Sequence, residues 1–152
     1  LKKYPQVKFV FVGDGFLRQK IENTIKKLNL ENNVILTGFR EDIPDILNSL
    51  DIFVLSSNNE GMAWVVLEAM AMKKAIVATN VSGILESIIY DKSGIVIEYG
   101  DREGLAQAIF SFIDDDKKRL TFGEQARVIV QQKFSNLSML ENTEKILLTN
   151  ER

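Results

Sequence analysis

Short apolar runs alternate with segments of helical period along most of the chain. The runs of strand length span residues 7–12, 33–37, 52–55, 75–79 and 95–97. Apolar residues at helical spacing predict helices over residues 16–30, 42–50, 62–72, 84–90, 102–113, 117–133 and 136–149. This alternation predicts one α/β domain over residues 1–152, with a Rossmann-like parallel sheet, helices on both faces and a buried first strand.

The helix predicted over residues 62–72 is apolar on every face except at Glu68. Such a helix is typical of a protein interior, where an unpaired carboxylate is costly. Glu68 is therefore expected either to have a structural partner, such as a lysine or a backbone amide, or to accept hydrogen bonds from a ligand. Glu60 and Gly61 precede the same helix, whose free amides form an anion site. A ligand with phosphate and hydroxyl groups, such as a nucleotide-sugar, fits this pattern.

Two other turns follow predicted strands, Gly13-Asp14-Gly15 and Gly38-Phe39-Arg40. Each has a plain structural interpretation. The first is then a tight turn that needs glycine, and in the second Phe39 fills the core while Arg40 is a solvated charge. Alternatively, both turns contact a ligand, because α/β folds bind ligands beyond the carboxyl ends of their strands. The loops expected to meet there are residues 13–15, 38–40, 56–61 and 82–83.

Composition narrows the chemistry. The chain has 152 residues, 45% hydrophobic and 26% charged, which fits a globular domain with a core of its own. A net charge of −2 argues against a nucleic-acid partner. The absence of cysteine and histidine excludes disulfides, thiolate metal sites and a Ser-His-Asp triad. No apolar run has the length of a membrane span and no signal peptide is visible at the start, so a cytoplasmic protein is expected.

The segment EGMAWVVLE, from Glu60 to Glu68, resembles the E-x7-E motif of retaining glycosyltransferases of family 4, which have the GT-B fold. LSSNNEG resembles the P-S-x-x-E-G loop of that family, and LEAMAMKKAIVAT resembles its L-E-A-M-A-x-G-x-P-V-V-A-T run. VFVGDG and LTGFRED match upstream segments in kind and order. The resemblance covers residues 4–134 and follows the second, donor-binding domain of the family.

The resemblance implies a glycosyltransferase that moves a sugar, with retention, from a UDP-, GDP- or ADP-sugar to a glycan, a lipid or another small molecule. It implies a catalytic role for Glu60 at the sugar and binding of the ribose hydroxyls by Glu68. The other donor-binding residues that it implies are Gly13, Gly15, Gly38, Phe39, Gly61, Met62, Ala63, Trp64 and Val65. No cofactor and no metal are expected, because helix amides and basic residues replace a metal ion. The family also leaves open a peripheral position of the full-length protein at the inner face of the membrane.

Three parts of the family pattern have no counterpart in this sequence: the first strand and helix, the arginine and lysine that clamp the pyrophosphate, and the acceptor-binding domain. The chain is therefore expected to be a piece of a longer enzyme and to be inactive alone. In the family, the absent strand lies at the centre of the sheet. We therefore expect either that the strands at 7–12 and 75–79 pair with each other or that another chain supplies a strand to pair with them.

The chain also departs from the family within the motif. Lys73 replaces a glycine and Ala75 a proline, and Met62-Ala63-Trp64 replaces F-G-L. Trp64 then either narrows the sugar pocket or simply packs. Two other functions stay open: a non-catalytic nucleotide-binding or regulatory module of flavodoxin-like type, and a nucleotide-sugar epimerase with the GT-B fold. The sequence specifies neither the base, sugar and acceptor nor the oligomeric state.

Overall fold

The computed structural model describes residues 3–61, 63–89 and 91–149. Its elements, in chain order, are β1 Phe9–Val12, α1 Arg18–Lys27, β2 Val34–Gly38, α2 Ile43–Ser49, β3 Ile52–Leu55, α3 Trp64–Ala71, β4 Ala75–Thr79, α4 Ile84–Ser87, β5 Ile95–Ile97, α5 Arg102–Ile113, α6 Asp116–Lys133 and α7 Asn136–Thr149. The predicted alternation of strands and helices is confirmed. The helix expected over residues 84–90 is shorter than predicted, since α4 ends at Ser87.

All the paired strands run parallel, in two sheets. β1 pairs with β2, whereas β4 lies between β3 and β5. The α/β class with parallel strands and flanking helices is therefore confirmed. The expectation that the strands at 7–12 and 75–79 come together is wrong. A strand has only two edges, and both edges of β4 are already occupied by β3 and β5.

The chain divides into two compact units, Leu1–Ile43 and Pro44–Arg152. Among residues 3–43 of the first unit, only Tyr4 is buried. Phe11 and Val12 in β1 are 48% and 41% exposed, so the prediction of a buried first strand is wrong for this half of β1. A two-stranded sheet with one helix has too little apolar surface to cover both of its own faces.

The second unit has its core around β4, whose five residues are all buried. Alternate residues of a strand share a face, and Ala75 and Val77 pack against Phe112 of α5 and Phe122 of α6. The two phenyl rings meet edge to face with centroids 5.1 Å apart. The predicted start of α5 is confirmed, because the Asp101 carboxylate caps it by accepting a 2.8 Å hydrogen bond from a backbone amide of the first turn.

The carboxyl end of α3 is closed by a left-handed residue. Lys73 has φ +57°, and its amide donates to the Met70 carbonyl while the Lys74 amide donates to the Ala69 carbonyl. These two bonds form the helix ending in which glycine is usually found at the position of Lys73. The Arg127 guanidinium in α6 also donates to the Ala71 carbonyl, so α6 helps to satisfy the last carbonyl groups of α3.

Replacing Lys73 by glycine is expected to raise the free energy of unfolding by about 0.5–1 kcal/mol, because glycine adopts positive φ without steric cost. The change removes an exposed ion pair between Lys73 Nζ and Glu124 Oε1, 2.8 Å apart, and such pairs contribute little. Urea unfolding should show a higher midpoint with an unchanged slope. The control is Lys73→Ala, which loses the same ion pair but keeps the strained φ and should not be stabilised. Equal midpoints for the two variants would contradict the interpretation.

Within the described residues, no helix is both long enough and apolar enough to cross a lipid bilayer.

Candidate functional site

Glu60 lies in the loop that joins β3 to α3. Because β3, β4 and β5 are parallel, their carboxyl ends lie at one edge of the sheet, and this loop leaves from that edge. The Glu60 side chain is half-buried, and its Oε1 atom accepts a 2.6 Å hydrogen bond from the Ser57 hydroxyl. The loop therefore fixes one carboxylate oxygen of Glu60 through a side chain three residues before it.

Thr79, the last residue of β4, attaches this loop to the sheet. It is 3% exposed, and its hydroxyl donates a 2.6 Å hydrogen bond to the Ser57 carbonyl. Neither Ser57 nor Thr79 is among the predicted site residues. Ser57 lies in the LSSNNEG segment and in the loop 56–61 expected near the ligand, but nothing in the sequence indicates that Thr79 contacts that loop.

The amino end of α3 is open to an anion. Ala63 is the N-cap residue, and it provides no side-chain hydrogen bond to the helix. The first amides of a helix have no partner within it, and the first turn of α3 has no acidic side chain. At Gly61 a Cβ atom would meet nothing within 4 Å, so a ligand can approach that backbone closely. The anion site predicted at the start of α3 is therefore open to a ligand, and no acidic side chain in the first turn opposes a phosphate group.

α3 is buried on one side only. Val66, Leu67, Ala69 and Met70 are buried, whereas Glu68 is exposed. The prediction of a helix buried on every face is therefore wrong, and the carboxylate is not desolvated in the free protein. Among the described residues Glu68 has no ion pair and no side-chain hydrogen bond. The alternative in which a structural partner holds Glu68 therefore has no support, and the carboxylate is available to a ligand.

Trp64 lies one helical turn before Glu68, and residues four apart share a helix face. Trp64 is 68% exposed, so the alternative in which it simply packs is wrong. A large aromatic surface and a free carboxylate thus occupy the same exposed face of α3. Of the other predicted contacts on this helix, Val65 is half-buried, Ala63 is buried and Met62 lies outside the described residues.

The first unit brings its own two predicted turns together. The Gly13 amide donates to the Gly38 carbonyl at 2.8 Å, and the two residues have φ +117° and +71°, where glycine is favoured. A Cβ atom at Gly13 or Gly15 would meet nothing within 4 Å. The backbone of this turn is therefore open to close approach.

Phe39 and Arg40 follow Gly38. Phe39 is 77% exposed, so the alternative in which it fills the core is wrong. Arg40 is paired, because its guanidinium donates two hydrogen bonds to the Asp42 carboxylate. These hydrogen bonds hold the pKa of Asp42 below its ordinary value. Arg40 is thus a neutralised surface charge in the free protein.

Metal ligands are not grouped in this structure. Among the described residues, no three acidic, histidine or cysteine side chains lie close enough together to hold a metal ion. The expectation that donor binding needs no metal stays a prediction.

Comparisons with known proteins give this geometry a context. N-acetyl-alpha-D-glucosaminyl L-malate synthase from Bacillus anthracis is 31% identical over 139 residues, which are 91% of this chain and 36% of that protein. The crystal structure of Anabaena Alr3699/HepE in complex with UDP is 30% identical, with a TM-score of 0.87 over 95% of this chain and 42% of that one. The C-terminal domain of a glycosyl transferase group 1 family protein (LpcC) from Francisella tularensis is also 30% identical. It has a TM-score of 0.83 over 90% of this chain and 74% of that domain.

The chain thus spans less than half the length of the first curated relatives it matches. Its fold is that of the C-terminal domain of GT-B enzymes. The family model described as glycosyl transferases group 1 matches residues 1–128. The chain therefore belongs to the group 1 family of glycosyl transferases.

Proposed function

We propose that this chain binds the nucleotide-diphospho-sugar donor of a glycosyltransferase. The observation that carries the proposal is the free, exposed carboxylate of Glu68 on α3, the helix whose uncapped amino end follows Glu60 and Gly61. A ligand that spans this region meets the backbone amides at the start of α3 as hydrogen-bond donors. The carboxylates of Glu60 and Glu68, on either side of these amides, are acceptors. Phosphate groups match the donors and sugar hydroxyls match the acceptors. Anabaena HepE, which is similar over 95% of this chain, was crystallised with UDP and with UDP-glucose.

The proposed roles follow from the chemistry of each group. The Glu68 carboxylate accepts hydrogen bonds from the ribose hydroxyls, and the amides at the start of α3 bind the diphosphate. Glu60 contacts the transferred sugar. In the first unit, the Gly13 and Gly38 turns, with Gly15 and Phe39, remain proposed donor contacts.

For the whole protein we propose retaining sugar transfer. The bond between the anomeric carbon and the diphosphate oxygen breaks, a bond from that carbon to an acceptor hydroxyl oxygen forms, and the hydroxyl proton is released. The leaving nucleoside diphosphate gains negative charge as the bond breaks, and the amides of α3 stabilise that charge without a metal ion. The curated relatives are named for sugar transfer or sugar-conjugate synthesis. We propose a cytoplasmic location, with the inner face of the membrane as the meeting point for a lipid acceptor.

Calorimetric titration of the purified chain with UDP, GDP and ADP, and then with their sugars, tests donor binding. One nucleoside diphosphate is expected to bind in preference to the other two, and its sugar conjugate is expected to bind at least as tightly. Circular dichroism of the same sample establishes that the chain is folded. If a folded sample binds none of the six ligands, the proposal is contradicted and a non-catalytic regulatory module is favoured instead.

A further inference from the structure

A chain of three hydrogen-bonded groups connects the buried core of the second unit to the Glu60 carboxylate. It starts at Thr79, which is 3% exposed and pairs with Ile97 of β5. The Thr79 hydroxyl donates to the Ser57 carbonyl and the Ser57 hydroxyl donates to Glu60 Oε1, both at 2.6 Å. The backbone beyond Thr79 is also held, since the Asn80 amide donates to the Ile97 carbonyl at 2.6 Å.

We propose that Ser57 and Thr79 are positioning residues that orient Glu60 toward the sugar of the bound donor. This inference rests on the proposed function. A glutamate side chain has several rotatable bonds, and fixing it in one conformation costs rotamer entropy. A short hydrogen bond from a hydroxyl to a carboxylate offsets that cost before the ligand arrives. The Ser57 hydroxyl donates to the Oε1 atom of Glu60, which leaves the Oε2 atom of Glu60 to accept from a sugar hydroxyl.

Thr79 acts one step further from the ligand. Its hydroxyl holds the Ser57 backbone, which in turn sets the direction of the Ser57 side chain. A catalytic carboxylate has to be held to within about 0.5 Å by groups that are themselves fixed. Thr79 meets that condition, because it belongs to the fully buried strand β4. The geometry of Glu60 is thus set by the core, although Glu60 itself lies in a loop.

The test compares the affinity of this chain for the preferred nucleoside diphosphate with its affinity for the corresponding nucleotide-sugar, by calorimetry. Ser57→Ala is expected to weaken nucleotide-sugar binding about tenfold and to leave the affinity for the free nucleotide within twofold, since Glu60 contacts only the sugar. Ser57→Thr keeps the hydroxyl and is expected to restore most of the loss. Ser49→Ala removes an exposed serine hydroxyl at the end of α2, outside the loops predicted to contact the ligand, and serves as the control.

Thr79→Val and Thr79→Ser form the second pair. The first keeps the shape of the buried side chain but removes its hydrogen-bond donor, and it should lower sugar affinity as Ser57→Ala does. The second keeps the donor and should bind the sugar normally. Because Thr79 is buried, thermal unfolding of each variant is measured first. If Thr79→Val does not fold, the Ser57 variants still decide the question, since Ser57 is only half-buried.

Three outcomes would overturn the inference, and they are distinguishable. If the unaltered chain binds no nucleotide, the proposed function fails and the positioning role fails with it. If Glu60→Ala weakens sugar binding while Ser57→Ala does not, the donor site stands and Ser57 has no positioning role. If Ser57→Ala weakens the free nucleotide and its sugar equally, Ser57 has a general structural role.

Discussion

Replacing Gly123 by alanine is expected to lower the free energy of unfolding by about 3 kcal/mol, the upper range for overpacking a well-packed core. Gly123 lies in α6 where that helix crosses the end of α3. A Cβ atom there would lie 2.1 Å from the Lys73 carbonyl oxygen and 2.8 Å from its carbonyl carbon. Both are backbone atoms, so no side chain can rotate away and α6 must move. Alanine is the better helix former by about 1 kcal/mol, which offsets only part of the cost.

The matched control is Gly104→Ala in α5. A Cβ atom at Gly104 would also be crowded, at 2.2 Å, but by an oxygen of the Asp101 side chain. That carboxylate can rotate, at the cost of its hydrogen bond to the Gly104 amide, and the helix propensity of alanine compensates for the lost cap. The control should therefore be nearly neutral. Urea unfolding followed by circular dichroism measures both variants, and similar stability of the two would refute the backbone-contact argument.

The contact at Gly123 matters for function because α6 fixes the end of the helix that carries Glu68. Arg127 lies one helical turn after Gly123 in α6, and its guanidinium donates a hydrogen bond to the Ala71 carbonyl of α3. Both contacts hold the carboxyl end of α3, and the opposite end of α3 is the proposed phosphate site. A change in α6, more than 50 residues along the chain from Glu68, is thus expected to displace the donor site.

Local pattern was enough to predict most elements. The α5 helix shows why: Asp101 stands directly before a segment with apolar residues at helical spacing, and both features are local. The structure places Ala108 and Phe112 of this helix in the core. The order of strands and helices follows from the same local alternation, which does not depend on which elements finally touch.

Burial could not be predicted in the same way, because it depends on which neighbours an element has. All four residues of β1 are apolar, but two of them are exposed. The composition of α3, apolar except at Glu68, could not show that only one of its sides is covered, so the exposure of Trp64 and Glu68 was not predicted. The hydrogen bond from Thr79 to the Ser57 carbonyl joins residues 22 apart, and no periodicity in the sequence indicates it.

Glu68→Ala is expected to weaken binding of the preferred nucleoside diphosphate by about 10- to 100-fold. Hydrogen bonds to a charged group contribute about 1.5–3 kcal/mol when one partner is removed, and 1.4 kcal/mol is tenfold in affinity. The free Glu68 carboxylate has no partner to lose among the described residues, so the fold should keep its stability. Glu144→Ala on α7 removes an exposed carboxylate remote in sequence from α3 and controls for the change in net charge.

A nucleotide that lacks both ribose hydroxyls separates a direct contact from a general disturbance of the site. If Glu68 binds those hydroxyls, the unaltered chain should bind the 2′,3′-dideoxy nucleoside diphosphate as weakly as Glu68→Ala binds the ordinary nucleotide. Glu68→Ala should then bind the dideoxy compound no more weakly than the unaltered chain does. The hydrogen bonds between Glu68 and the ribose hydroxyls are already lost with this compound and cannot be removed a second time. Additive losses would mean that Glu68 and the ribose hydroxyls act independently, and the exposed face of α3 would not be the ribose site. Because both ligands are measured on each of the two folded proteins, a general change in stability would weaken both ligands alike and cannot imitate the expected result.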